Sequence, residues 1–184
     1  KNALWKGCKV ATLEEYFSIC AEYGMDPVFS VHPDLTAQQW TYVKDLETNI
    51  DSVDYCNKEA HLRRLSLLGS LYRIDGKYQK NVEVCLNALE IAETDSVSVP
   101  ISLRKMLYNN LSVAYTDISD KDLALKSINK AIDLGRSMAI EDGQNPDDPK
   151  SLLWPVTEYG NLANLYIDNK DYESANRILQ DCLT

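Results

Sequence analysis

The residues best suited to acid–base or metal chemistry in this 184-residue chain are two histidines and a few short clusters of acids. His32 stands just before a proline and His61 near the start of a predicted helix, so neither has a nucleophile or an acid partner evident in the sequence. We expect both to be ordinary surface or helix-capping histidines. Glu14 and Glu15 are adjacent, so they do not converge on one face of a helix, and a solvated helix start, where acids are favoured, accounts for them.

The remaining acidic candidate is the loop EDGQNPDD at 141–148. It lacks the regular spacing of oxygen ligands that a calcium-binding loop has. The sequence also has no glycine-rich loop that could cradle a phosphate. We therefore expect no catalytic residue, no metal site and no cofactor, and a protein that is not an enzyme.

The five cysteines are Cys8, Cys20, Cys56, Cys85 and Cys182. Their number is odd, they are widely spaced and no two form a C-x-x-C pair, so the pattern favours neither a disulfide framework nor a zinc site. Their neighbours are largely apolar, which predicts small buried side chains. This cysteine usage fits a reducing compartment, and we expect the cytoplasm.

Composition narrows the class of partner. Hydrophobic residues make up 45% and charged residues 26% of the chain, close to the averages for globular domains, and no apolar run reaches the roughly 20 residues of a membrane-spanning helix. With 19 basic and 28 acidic residues the net charge is −9, which would repel a phosphate backbone. We expect a protein or peptide partner, with neither nucleic-acid binding nor membrane insertion. Because the chain starts at Lys1 without a basic and then apolar leader, we expect an excised or processed piece.

One pattern occurs three times: leucine, a small residue, two further residues and tyrosine. The copies are LLGSLYRIDGKYQKNVEVCLNAL at 67–89, NLSVAYTDISDKDLALKSINKAI at 110–132 and NLANLYIDNKDYESANRILQDCL at 161–183. The anchor residues are Leu68, Gly69 and Tyr72, then Leu111, Ser112 and Tyr115, then Leu162, Ala163 and Tyr166.

Each copy predicts a hairpin of two helices. Leucine and tyrosine four residues apart share one face of the first helix, and the small residue beside the leucine lets the second helix approach closely. Asp75 with Gly76, Asp120 and Asp171 lie where one helix should end and the next begin.

The second helices carry a narrow apolar stripe that one hairpin alone cannot bury, so stacked hairpins should share a core. The predicted fold is all-α: a solenoid of three hairpins over 51–184, preceded by a small mixed α/β segment at 1–50. The stripe consists of Ala124, Ile128 and Ala131 in the second copy and of Ala175, Leu179 and Cys182 in the third.

The pattern over residues 55–184 resembles the tetratricopeptide repeat, in which a leucine–glycine pair and a tyrosine precede alanines of a second helix. Asn81 stands where that family has a small alanine. Leu68 and Leu111 are 43 residues apart, and Leu111 and Leu162 are 51 apart, instead of the usual 34 or so, as in long-repeat members such as kinesin light chains and bacterial regulators. The resemblance implies a non-catalytic binding scaffold or the sensing module of a larger regulator.

The first fifty residues do not join the repeat. The segment ATLEEYFSICAEYG at 11–24 predicts a helix, MDPVFSVHP a short strand, and Thr36 with Gln39 a capped second helix. Residues 9–47 also resemble one helix–strand unit of the glycerophosphodiester phosphodiesterases, although the histidine–arginine pair of that family is missing. The alternative function is therefore a fragment or fusion of such an enzyme, and an irregular helical cap on the solenoid is the other interpretation of the segment.

In tetratricopeptide proteins the first helices of successive hairpins line a concave face. A carboxamide both donates and accepts hydrogen bonds, so the resemblance implies that Asn110 and Asn161 pair with the backbone of an extended peptide. Arg63 and Arg73 would add a positive end that favours a carboxylate. The alternative is that an asparagine before the leucine only helps the hairpin pack. The inward positions transferred to this chain are Arg63, Ser66, Ser70, Arg73, Asn109, Asn110, Val113, Asn161 and Asn164.

Overall fold

The computed structural model describes residues 58–94, 98–148 and 155–182. These residues form six α-helices and no strand, so the described part of the chain is an all-α helical repeat. The mixed α/β segment expected at 1–50, the boundary at 50/51 and the phosphodiesterase-like stretch at 9–47 lie outside the described residues. The helices are α1 (Lys58–Ile74), α2 (Tyr78–Thr94), α3 (Ile101–Asp117), α4 (Lys121–Glu141), α5 (Val156–Asp168) and α6 (Tyr172–Asp181).

The chain divides into two compact units, residues 1–77 and 78–184. In the first unit, α1 buries Leu62, Leu65 and Leu68, which recur every three residues along one face. His61 is 1% exposed, so the expectation of a surface or capping histidine is wrong. The reason is its register: four residues before Leu65, His61 falls on the buried face of the helix.

The three hairpin turns share one backbone geometry. In each, the N–H five residues after the repeat tyrosine donates to the carbonyl of that tyrosine, and the residue just before this donor takes a left-handed conformation that satisfies the last carbonyls of the helix. The bonds are Lys77 to Tyr72 at 2.8 Å, Asp120 to Tyr115 at 2.9 Å and Asp171 to Tyr166 at 2.9 Å. The left-handed residues are Gly76 (φ 70°), Ser119 (φ 63°) and Lys170 (φ 62°).

The predicted caps form in the second and third hairpins. Asp120 accepts a hydrogen bond from the backbone N–H of Leu123 at 3.2 Å, and Asp171 accepts one from that of Ser174 at 3.1 Å. Each bond satisfies a backbone donor that the first turn of a helix would otherwise leave unpaired. The aspartates that the sequence placed at the turns therefore start α4 and α6.

Small residues bring α3 and α4 together in the second unit. Ala124, Ile128 and Ala131 on α4 are fully buried, as their stripe predicted. Ser112 on α3 is also buried, and its hydroxyl donates to the carbonyl of Ala124 at 3.0 Å. A side chain of this size both permits the close approach and adds a hydrogen bond between the helices.

The third hairpin follows the pattern only in part. Leu162, Ala163 and Ala175 are buried, whereas Leu179 on α6 is 41% exposed, so its predicted place in a buried stripe is wrong. The stripe of α4 is covered because α5 packs against it as well as α3. Within the described residues no helix follows α6 to cover it in the same way.

The start of α5 lies close to α4. A Cβ atom added to Gly135 would lie 3.1 Å from Cβ of Pro155, so the missing side chain permits this approach. Arg136 on α4 lies 2.8 Å from Asp147 in the loop between the helices. A hydrogen bond with Tyr159 on α5, followed by the attraction of Asp147, raises the pKa of Arg136. These contacts fix where α5 begins and hence where its polar residues lie.

Candidate peptide-binding surface

Two carboxamides meet between the first helices of the second and third hairpins. Asn161 on α5 donates from Nδ2 to Oδ1 of Asn109 on α3 at 2.8 Å, and both residues are half-buried. Each amide uses one of its two polar ends in this bond. Nδ2 of Asn109 and Oδ1 of Asn161 make no other hydrogen bond within the described residues, so a donor and an acceptor remain side by side.

An ion pair joins the same two helices one turn earlier. Lys105 lies four residues before Asn109 and Glu158 three residues before Asn161, so each shares a helix face with its asparagine. Nζ of Lys105 is 3.0 Å from Oε1 of Glu158. Glu158 is 4% exposed, and its Oε2 atom has no hydrogen-bond partner among the residues that the structure describes. We call these four residues the polar seam.

The other two predicted asparagines lie near the polar seam. Asn110 is half-buried on α3, and the carboxamide that meets Asn161 is that of Asn109 instead. Asn164 is exposed on α5, one turn after Asn161. The structure therefore brings two of the predicted residues, Asn109 and Asn161, into direct contact, and the peptide-contact role of all four asparagines remains a prediction.

The two predicted arginines lie on α1, in the first unit. Arg63 is held by Glu59, one turn earlier on the same helix: Nη2 and Nε of Arg63 lie 2.7 Å and 3.2 Å from Oε1 of Glu59. Its charge is thus offset locally, and a ligand carboxylate would compete with Glu59. Arg73 is exposed in the last turn of α1, where a cation is favoured by the helix dipole.

Sequence reasoning missed the Lys105–Glu158 pair, although a signal was present. Glu158 precedes the buried Leu162 by four residues, so it occupies an inward position of α5 that an apolar residue would normally fill. A carboxylate at such a position needs a partner, because burying an unpaired charge is costly.

The described residues lack the features of a metal site and of a membrane-spanning helix. They contain no group of three or more His, Cys, Asp or Glu residues that could hold a metal ion. None of their helices combines the length and apolarity needed to cross a membrane. Cys85 is buried, as predicted, and its thiol donates to Oδ1 of Asn81 at 3.5 Å. Burial raises the pKa of Cys85 to about 12, so the thiol stays protonated and unreactive at neutral pH.

Comparison with known protein families finds two matches. Residues 107–136, which contain most of α3 and the first part of α4, match a family model described as a tetratricopeptide repeat. Residues 159–184, which contain most of α5 and all of α6, match a second model with the same description. No curated protein gives a significant match, and no solved structure gives one. Asn109 and Asn161 lie in different matched segments, so the polar seam joins two consecutive copies of the matched pattern.

Proposed function

Because tetratricopeptide repeats occupy residues 107–136 and 159–184, we propose that this chain is a non-catalytic scaffold or sensor module that binds a protein through an extended peptide segment. Such repeats are generally protein-interaction surfaces. In this proposal residues 51–184 are the repeat domain, 1–50 are a separate segment, and the protein works in the cytoplasm, a reducing compartment that the cysteine usage favours. The peptide lies along the first helices of the hairpins.

The observation that carries the proposal is the Asn109–Asn161 pair. The amide hydrogen left on Asn109 and the carbonyl oxygen left on Asn161 match the carbonyl and N–H that an extended peptide backbone presents. Because the bond between the two amides holds them in place, little rotamer freedom remains to be lost when the peptide binds. Asn110 and Asn164 extend this row of amides in the proposal.

The charges near the polar seam determine which peptides the surface would prefer. Lys105 lies beside the asparagine pair, but its charge is offset by Glu158, so the seam itself is close to neutral. Arg63 and Arg73 are proposed as secondary contacts for a carboxylate of the ligand. The overall charge of −9 disfavours nucleic acid as the partner.

The test starts with selection of peptides from a random library on the purified chain. The selected peptide, labelled with a fluorophore, is then titrated against variants by fluorescence anisotropy. Asn161→Ala and Asn109→Ala should each weaken binding by about 1–3 kcal/mol, because each truncation leaves a desolvated peptide group unpaired. Asn87→Ala is the matched control, since Asn87 is an exposed carboxamide on α2, away from the polar seam.

Asn161→Asp separates the two roles of this side chain. It keeps an acceptor for the ligand and removes the N–H that bonds Asn109. If Asn109→Ala and Asn161→Ala bind the peptide as tightly as Asn87→Ala does, Asn109 and Asn161 are structural residues and the proposed surface is wrong.

A further inference from the structure

A second surface of the 78–184 unit has the form of a groove between helices. It is a cavity of about 760 Å³ lined by α2, α3 and α4, and α3 packs against both of the other helices. Leu111 and Tyr115 of α3 are buried in its lining. Leu86 on α2 and Leu123 on α4 also line it, and they are 44% and 39% exposed. None of the residues of the polar seam lines this space, which we call the α2–α4 groove.

The two outer walls of the α2–α4 groove carry opposite charges. The α2 wall presents Glu90 and Glu93, and the α4 wall presents Lys126 and Lys130, with Asp133 one turn beyond. Glu90, Lys126 and Lys130 form no ion pair within the described residues. These groups are therefore available to a partner.

Glu93 is held in place within the groove. It bonds the hydroxyl of Tyr108 on α3, and Nη1 of Arg104 lies 3.9 Å from its Oε2 atom. Burial, followed by the charge of Glu93 and that hydrogen bond, raises the pKa of Tyr108. The acidic wall is thus fixed by the helix that forms the floor of the groove.

The spacing of these groups matches a helix as occupant. Glu90 and Glu93 are three residues apart and Lys126 and Lys130 four apart, so each charged pair repeats after one helical turn. An amphipathic helix laid in a groove presents an apolar face inward and a polar row on each edge, at the same repeat.

We propose that the α2–α4 groove binds an amphipathic helix of a partner protein, with leucine-sized side chains facing Leu86 and Leu123. The helix carries a basic row along the edge that faces Glu90 and an acidic row along the edge that faces Lys126 and Lys130. This surface is separate from the polar seam, so the two proposals stand or fall independently.

Designed peptides test the proposal on the full 184-residue chain. Three helical peptides share leucines at positions i, i+3, i+4 and i+7 and differ only in their edges: one basic and one acidic row, two basic rows, or two acidic rows. By fluorescence anisotropy the mixed-edge peptide should bind about fivefold more tightly than the doubly basic one, because its acidic row can pair with Lys126 and Lys130, which repel a second basic row. This order opposes the one that the net charge of −9 would give.

Variants of the groove sharpen the test. Leu86→Ser with Leu123→Ser should weaken the mixed-edge peptide at least tenfold, whereas Leu179→Ser, at an equally exposed leucine on α6, should not. Lys126→Glu with Lys130→Glu should reverse the preference, so that the doubly basic peptide binds best. Asn161→Ala should leave all three peptides unaffected, which separates this site from the polar seam.

Three outcomes would overturn the proposal. The first is the absence of binding by the mixed-edge peptide, or binding that does not respond to the leucine variants. The second is binding in the order of net charge alone, with the doubly basic peptide tightest on the unmodified chain. The third is self-association of the chain, seen by sedimentation and abolished by the leucine variants, which would assign the groove to a second copy.

Discussion

Replacing Lys105 by methionine should destabilise the chain by more than the Lys105–Glu158 pair contributes. At 3.0 Å the attraction of the two charges is about 5 kcal/mol with an effective dielectric constant near 20. Removing each ion from water costs several kcal/mol, so the intact pair is close to neutral in its net effect. Lys105→Met keeps the apolar stem that passes Gly135 and leaves the carboxylate of Glu158 buried and unpaired.

The size of the loss follows from burial. Breaking a fully buried ion pair from one side typically costs about 3–5 kcal/mol. The side chain of Lys105 is 24% exposed, so water already shields part of the interaction and we expect about 2–3 kcal/mol. The double variant Lys105→Met with Glu158→Met has no unpaired charge and should recover most of that loss, leaving less than about 1 kcal/mol.

Urea unfolding followed by circular dichroism at 222 nm measures all four members of this cycle. The control is Arg63→Met, which removes the partly exposed pair with Glu59 within α1 and should cost less than about 1 kcal/mol. If the effects of the two seam substitutions simply add, with a coupling energy below about 0.5 kcal/mol, the two charges do not depend on one another and the reasoning fails.

Three further predictions follow from the fold. Ser112→Leu should destabilise the fold by about 3 kcal/mol or more, because the leucine side chain would collide with α4. Ser112→Ala should cost only about 1 kcal/mol, since it loses only the hydrogen bond to Ala124. Thermal melts of the two variants measure both effects. Cys85 should react with a thiol reagent only when the chain unfolds, which mass spectrometry of labelled peptides detects. Since the pKa of Cys85 rises from 9.0 to about 12 on folding, its contribution to stability should be complete below pH 9 and should fall as the pH rises towards 12. Ser119→Gly should increase the free energy of unfolding by up to about 1 kcal/mol, and Gly76→Ala should decrease it by a similar amount, because both positions have positive φ. Thermal melts compare these variants with the unmodified chain, and equal melting temperatures would show that the turns carry no strain.

The sequence was most informative where the controlling interactions are local. The turn residues Asp120 and Asp171 predict the starts of α4 and α6 correctly, because a cap hydrogen bond spans only three residues. The leucine, small residue and tyrosine predict the hairpins because their register on one helix decides which face is buried. Ser112 and Ala163 behave as expected for that reason.

The polar seam was less accessible because it depends on how two helices some fifty residues apart are aligned. The sequence placed Asn109, Asn110 and Asn161 on the first helices but could not tell which amides would meet. Burial at helix edges was also hard to infer. His61 was misassigned although its position four residues before Leu65 puts it on the buried face of α1, and Leu179 was misassigned because burial also depends on the neighbouring elements.

The shared turn geometry has a consequence for how this protein tolerates insertions. Since the same backbone bond closes the turns after Tyr115 and Tyr166, an extra residue in either turn would break that bond. The separation of 51 residues between Leu111 and Leu162 is instead absorbed by the 21-residue α4 and the stretch that follows it. An added residue should therefore be tolerated better in the link after α4 than in the turns within the hairpins, so tags or added domains belong just after Glu141 and not at Ser119 or Lys170.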